Sequence, residues 1–253
     1  MKIITGLFMA WGNFLSLPCP VKKWDNDLKN YMLGFLPTIG MIIGVVWAGL
    51  CVAMVWLGFP YLVLSFLVTF IPFALCGFMH LDGFMDCCDA MMSRKPLKEK
   101  QAILKDPHCG AFAAVSLVLL GCYSCISTAI STGIDFIDLC TIPIISRSIA
   151  GLNVLLRKPM DHSQYAEGAG ADDKIQKRKA VIIILIQLIV YCTAGAFLAS
   201  YLLPSAIVVA VTAAATYLSA VIAKRRLGGM SGDIAGYAIT WGEFFGIFAM
   251  LIL

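Results

Sequence analysis

Charge is what this sequence has little of. Only 13% of its 253 residues are charged, where a soluble domain carries about 25%. From Asn30 to Met79 there is no Lys, Arg, Asp or Glu at all. With 60% hydrophobic residues and a mean hydropathy of +0.87, this excludes an ordinary soluble enzyme and indicates an integral membrane protein. Low-complexity tracts, internal repeats and a polar extramembrane domain are also lacking, so 1–253 reads as a single membrane-embedded domain. The net charge of +4 does not point to nucleic acid, because the basic residues lie in short clusters between apolar runs. Ten cysteines are present, but no C-x-x-C pair is joined by a second at zinc spacing. Most, such as Cys51, Cys76, Cys122 and Cys125, sit singly in apolar stretches and read as reduced, structural residues.

The expected fold is all-α, a polytopic helical bundle. A spanning helix needs about 20 mainly apolar residues. Seven stretches qualify, at 31–57, 60–79, 109–131, 136–156, 180–201, 204–223 and 236–253. The segment 3–17 has the outline of a signal peptide, but Gly12, Asn13, Ser16, Pro18 and Pro20 interrupt it. A tilted or interfacial first helix is the better expectation. The connections at 57–60, 132–135 and 201–205 are short and carry no Lys or Arg, whereas 80–108, 157–179 and 224–235 are longer and basic. Seven spans place seventeen of the nineteen Lys and Arg residues on one side, leaving only Lys2 and Arg147. The positive-inside rule makes that side cytoplasmic.

What charge there is gathers at one point. Residues 80–89 read HLDGFMDCCD, with Asp82, Asp86 and Asp89 at spacings i, i+4 and i+7. On a helix these fall within an arc of about 60°. Three carboxylates on one face repel one another and call for a cation. The plain reading is a solvated face where a helix leaves the bilayer. The sharper one is a site for Mg²⁺ or Mn²⁺, hard ions that take oxygen ligands. His80 points away, at about 160° on the same wheel, and reads as structural. Gly83 lies beside the acidic face and would let a substrate approach the backbone.

Other stretches offer weaker signals. ILKDPHCGAF, 103–112, opens the next span. Asp106 before Pro107 suits a helix cap, and Lys105 with the 108–110 backbone, Gly110 included, suits a phosphate. GGMSGD, 228–233, follows Lys224, Arg225 and Arg226 and precedes the last span. Gly228, Gly229, Ser231 and Gly232 then form a candidate phosphate cradle, with Asp233 either a further metal ligand or a cap. Arg147 and Glu243 are intramembrane charges, which mark a partner or a cavity. They suit each other as a structural pair, or each has a functional role. The small, glycine-rich loop 161–173, with His162, reads either as a cover over a polar ligand or as a connector.

Taken in order, HLDGFMDCCD, AILKDPHCGAF and GGMSGDIAG with Glu243 downstream resemble the cobalamin synthase family, adenosylcobinamide-GDP ribazoletransferase. The family pattern runs close to H-L-D-G-L-x-D-x-x-D, M-K-D-x-x-x-G-x-x-G/A and G-G-x-T-G-D-x-x-G. LPTIGMIIG at 36–44 and Ser146–Arg147 also look like family positions. The chain departs where the family often has Arg: residues 14–20 read FLSLPCP, and Glu167 follows Tyr165–Ala166. The resemblance implies Mg²⁺-dependent joining of adenosylcobinamide-GDP to α-ribazole or its 5′-phosphate, with release of GMP. Asp82, Asp86 and Asp89, with Asp233, would hold one or two ions. Asp89 or Asp106 would accept the ribose hydroxyl proton. Lys105, Arg147 and the 228–232 turn would bind phosphate. It also implies a bacterial or archaeal inner membrane, with the site loops in the cytoplasm. A homo-oligomer is compatible with the sequence. Two rivals stand beside this reading. A CDP-alcohol phosphotransferase would show D-x-x-D-G-x-x-A-R, whose order differs here. An ion-coupled transporter would use Arg147 and Glu243 on a midplane path.

Overall fold

The computed structural model describes residues 2–130, 135–161, 163, 171–199 and 201–253. It is built of α-helices with one short 3₁₀ turn, Asn26–Leu28, and no strand is described. In chain order the helices are α1 (Lys2–Phe14), α2 (Lys29–Gly34), α3 (Leu36–Trp56), α4 (Tyr61–Leu75), α5 (Met79–Met92) and α6 (Leu97–Ile103). They continue with α7 (Ala111–Ile130), α8 (Phe136–Leu156), α9 (Ala171–Leu198), α10 (Leu202–Leu227) and α11 (Gly232–Ile252).

The expected polytopic bundle is present. Five helices, α3, α8, α9, α10 and α11, have the length and apolarity to cross a membrane. Of the other two expected spans, 60–79 departs from a single straight helix. α4 has fifteen residues, about 22 Å against a hydrocarbon core of ~30 Å. The chain then bends by 94° into α5, and the pair counts as a sixth span only if taken as one broken crossing. α7 has twenty residues, of which Ala111–Cys125 form a shorter apolar stretch with described side chains. α1, at thirteen residues, falls short of a crossing.

α8 is the axis of the bundle, packed against α3, α9, α10 and α11. Small residues let the backbones meet, as in other membrane helix pairs. On α3, Gly40 and Gly44 lie directly on the Pro143 and Cys140 backbone of α8. α9 keeps most of its side chains on the outside of the bundle, as a lipid-facing helix does.

The break between α4 and α5 positions the site. Gly77 (φ +59°) and Phe78 (φ +61°) are both in the left-handed region, which costs a non-glycine residue such as Phe78 stability. The corner is held from outside: the Ser16 amide and hydroxyl donate to the Ala74 and Leu75 carbonyls at the end of α4. α5 thus leaves the direction of α4 and packs against α11 and α7.

Candidate active site

α5 forms as the spacing predicts, but its three aspartates do not share one destination. Asp82 is exposed and Asp86 half-buried. Asp89 is buried, its two carboxylate oxygens accepting from the Gly110 amide (2.7 Å) and the Ala113 amide (3.0 Å). It caps α7 from a neighbouring helix, satisfying amides that begin a helix without internal partners. Asp89, expected among the metal ligands, is thus also engaged on α7, each of its oxygens accepting one amide. Gly110, expected to face substrate, instead lies against Asp89, where any Cβ would collide with the carboxylate.

A further carboxylate, Asp233, comes from the start of α11. Ser231 caps that helix, its hydroxyl accepting from the Ile234 amide (3.3 Å) and donating to Asp233 (3.3 Å). Gly83 on α5 lies directly on the Asp233 backbone, where an added Cβ would stand 2.8 Å from both Cα and O. Gly236 makes the reciprocal approach to the His80 backbone. Gly83 is thus a contact between helices rather than a surface for substrate. This contact sets Asp82, Asp86 and Asp233 around one corner. Burial, then Asp82, Asp233 and Asp89, push the Asp86 carboxyl up to about 7. Among the described residues, none of Asp82, Asp86 and Asp233 has a Lys or Arg ion-pair partner.

Two cavities meet at Gly232 and Asp233. The larger, of about 330 Å³, is bounded by Gln101, Leu104 and Lys105 on one side and by Met160, Ser163 and Ser231 on the other. The smaller, of about 120 Å³, runs between α1, α3, α5, α8 and α11 and has Asp82 and Asp233 in its wall. Lys105, Ser231, Gly232, Asp82 and Asp233 are therefore brought together as expected.

Other expected residues are not. Gly228 (φ +89°) closes α10 and packs on Leu97 and Gln101. Gly229 lies against the Met160 backbone, in a short bridge where Met230 N donates to Lys158 O and Met160 N to Met230 O (both 3.0 Å). These two glycines shape the turn and do not line either cavity. Asp106 is exposed and turned to His108, accepting from its amide (3.0 Å) and its ring Nδ1 (2.6 Å). That bond holds the Asp106 carboxyl below the usual range. It does not cap α7 and lines neither of these two cavities.

Arg147 is fully buried and forms an ion pair with Glu243. Its guanidinium also reaches Cys76 Sγ (3.1 Å) and His80 Nδ1 (3.5 Å). It lines no cavity described here, so the structural pair is the reading the geometry supports, not the phosphate ligand. His80 is buried and stacked on Phe14, a structural residue as expected. His162, Glu167 and most of the 161–173 loop lie outside the described residues.

Sequence reasoning missed Gln101 and Asn13, which line the two cavities. Gln101 left one signal, a lone amide amid lysines on a short helix; it donates to the Leu227 carbonyl (2.8 Å) and ties α6 to α10.

Among the described residues, no three His, Cys, Asp or Glu side chains are set to hold a metal ion as they stand. The donor set still suits Mg²⁺: Asp82, Asp86 and Asp233 offer hard carboxylate oxygens without a protein cation, and Mg²⁺ needs only one or two protein carboxylates when phosphates complete its shell.

The family model described as cobalamin-5-phosphate synthase matches residues 6–251. A protein of Clostridium perfringens (strain SM101 / Type A) is 33% identical over 260 residues, covering 100% of both chains. One of Clostridium botulinum (strain Alaska E43 / Type E3) is 30% identical, over 98% of this chain and 97% of its own. One of Citrobacter koseri is 31% identical, over 97% and 99%. All three are named adenosylcobinamide-GDP ribazoletransferase. No solved structure matches the chain. With the match running through every element that builds the site, the chain belongs to the cobalamin-5-phosphate synthase family.

Proposed function

We propose that this protein is an adenosylcobinamide-GDP ribazoletransferase, acting late in cobalamin biosynthesis. The observation that carries this reading is the family match over nearly the whole chain, together with Asp82, Asp86 and Asp233 gathered by the Gly83–Asp233 contact. Neither the phospholipid synthase nor the transporter alternative is favoured by that match.

A ribose hydroxyl of α-ribazole, or of its 5′-phosphate, attacks the phosphorus that bears the cobinamide. A new P–O bond forms, the bond to GMP breaks, and GMP leaves with the electron pair. When bound, Mg²⁺ would neutralise the diphosphate and the departing GMP, and Asp82, Asp86 and Asp233 are the residues to hold it. Lys105 on the larger cavity offers a cation to the nucleotide phosphate. The first turn of α11, whose opening amides have no partner within the helix, faces the same cavity through Gly232 and Asp233. With Asp89 engaged on α7 and Asp106 turned outward, the hydroxyl proton goes to Asp82 or Asp233, which line the cavities, or to Asp86 beside them. Asp89 acts as a positioning residue that locks α5 to α7. The clustering of basic residues in the loops between spans supports a site on the cytoplasmic side of the cell membrane, where soluble nucleotides arrive.

The test is GMP release by the purified protein in lipid, given adenosylcobinamide-GDP, α-ribazole and Mg²⁺, with Asp82→Asn as the matched control. Release that requires both ribazole and metal and is lost in the variant supports the reading. No release from correctly folded protein refutes it.

A further inference from the structure

We propose that the smaller cavity is the acceptor pocket, and that it takes the flat, apolar bicyclic base of the ribazole. This rests on the ribazoletransferase reading and adds to it a division of the substrates between two cavities.

The two cavities share only Gly232 and Asp233. In phosphoryl transfer the attacking and leaving oxygens stand roughly in line on opposite sides of the phosphorus. A transferred phosphate at Asp233 would then have the acceptor on one side and GMP on the other. The cavities differ in the chemistry they offer. The larger has Lys105, Gln101, Ser163 and Ser231 around it, groups suited to phosphate and to the polar edge of a purine. The smaller has walls of Phe14, Leu33, Leu36, Val154 and Ile239, floored by Ala150. A guanine placed there would lose hydrogen bonds to water that these walls cannot replace, a cost of several kcal/mol in an apolar site. A ring system with an all-carbon edge loses nothing.

Shape argues the same way. Phe14 is buried and stacked on His80, with ring centroids 6.4 Å apart and planes 18° from parallel. His80 is in turn held against Arg147. The aromatic wall is therefore fixed, as a pocket for a rigid planar ligand requires. At about 120 Å³ the cavity has no room for a corrinoid or a whole nucleotide. Its polar lining is Asn13, His80, Asp82 and Asp233, the last shared with the larger cavity. A base seated among the apolar walls would direct its ribose towards these carboxylates, which brings the attacking hydroxyl to the phosphate.

Ala150 and Val154 are one turn apart on α8 and both face the cavity, so enlarging either fills it from the same wall. The experiment compares wild type, Ala150→Leu and Val154→Phe in lipid. Equilibrium binding of α-ribazole alone, without donor or metal, is read by its fluorescence, and KM is measured separately for α-ribazole and for adenosylcobinamide-GDP. Both variants are expected to weaken ribazole binding and raise its KM by about tenfold or more, with the donor KM within about twofold of wild type. Thermal unfolding identifies a variant that has not folded, and the other then decides. Unchanged ribazole binding in a folded variant, or a rise in the donor KM instead, overturns the acceptor pocket. Failure of the wild type to release GMP overturns the function itself, so the two failures are told apart.

Discussion

Removing the guanidinium of Arg147 is the sharpest test of how the bundle holds its active end. Arg147 on α8 pairs with Glu243 on α11 and touches Cys76 before the α4–α5 corner and His80 after it. Both charged side chains are at most 4% exposed. Arg147→Met leaves the Glu243 carboxylate buried with only the Ser146 hydroxyl as a donor (3.2 Å). Breaking a buried pair from one side costs ~3–5 kcal/mol, because the surviving charge is left without compensation. At roughly 2–4 °C per kcal/mol for a chain of this size, the unfolding midpoint should fall by roughly 6–20 °C. The double variant Arg147→Met/Glu243→Met removes both charges and leaves none stranded. It should therefore unfold above either single variant, since apolar replacement of a whole buried pair is often close to neutral. The assay is thermal unfolding in detergent, followed by tryptophan fluorescence, with ligand-free protein throughout. A single variant as stable as wild type, or a double variant destabilised by the sum of the two singles, would refute the claim that the pair acts as a unit.

Three further outcomes follow from the site. Asp82→Asn should abolish GMP release without lowering stability, whereas Asp89→Ala should cost ~1–2 kcal/mol of stability as a lost helix cap, and Asp89→Asn, which keeps one acceptor for α7, should retain activity; unfolding and GMP release measured side by side separate them. Asp86 must lose its proton to ligate a metal, and its carboxyl is pushed up to about 7, so Mg²⁺ binding read by calorimetry should be roughly tenfold weaker at pH 6 than at pH 8. The folded protein binds the extra proton between pH 3.8 and about 7, so metal-free stability should fall as pH rises through that window, and a flat profile would contradict the clustered acids. Gly83→Ala puts a Cβ 2.8 Å from the Asp233 backbone, and forcing α5 off α11 should cost ~1–3 kcal/mol together with most of the activity, seen as a lowered unfolding midpoint and lost GMP release.

The bundle was legible because apolar length is a direct signal of a membrane crossing. α3, α8, α10 and α11 lie where the apolar runs put them. The corner after α4 was not legible, because Cys76, Gly77, Phe78 and Met79 are as apolar as the helix they end. It is made by a contact across the chain, Ser16 on the last carbonyls of α4, and by backbone that no periodicity reports. Arg147 and Glu243 announced a pairing, since a buried charge needs a partner, but not that Cys76 and His80 would complete it.

The aspartates show the same limit more finely. Their spacing fixed one face of α5, and that face exists. It could not say what each carboxylate would meet. The missing clue lay in the next helix rather than in the motif. α7 begins after Gly110, whose carbonyl accepts the first helical bond, from Ala114, yet glycine has no side chain to cap the amides that follow. Asp106 was the nearest local substitute, but it closes its own turn onto His108. A buried helix start must still be satisfied, so a carboxylate had to come from elsewhere in the fold. Of the three on α5, Asp89 is the last and sits next to α7. Asp233 comes beside Asp82 and Asp86 by a different contact, the approach of Gly83 to the start of α11, where any Cβ would meet the Asp233 backbone.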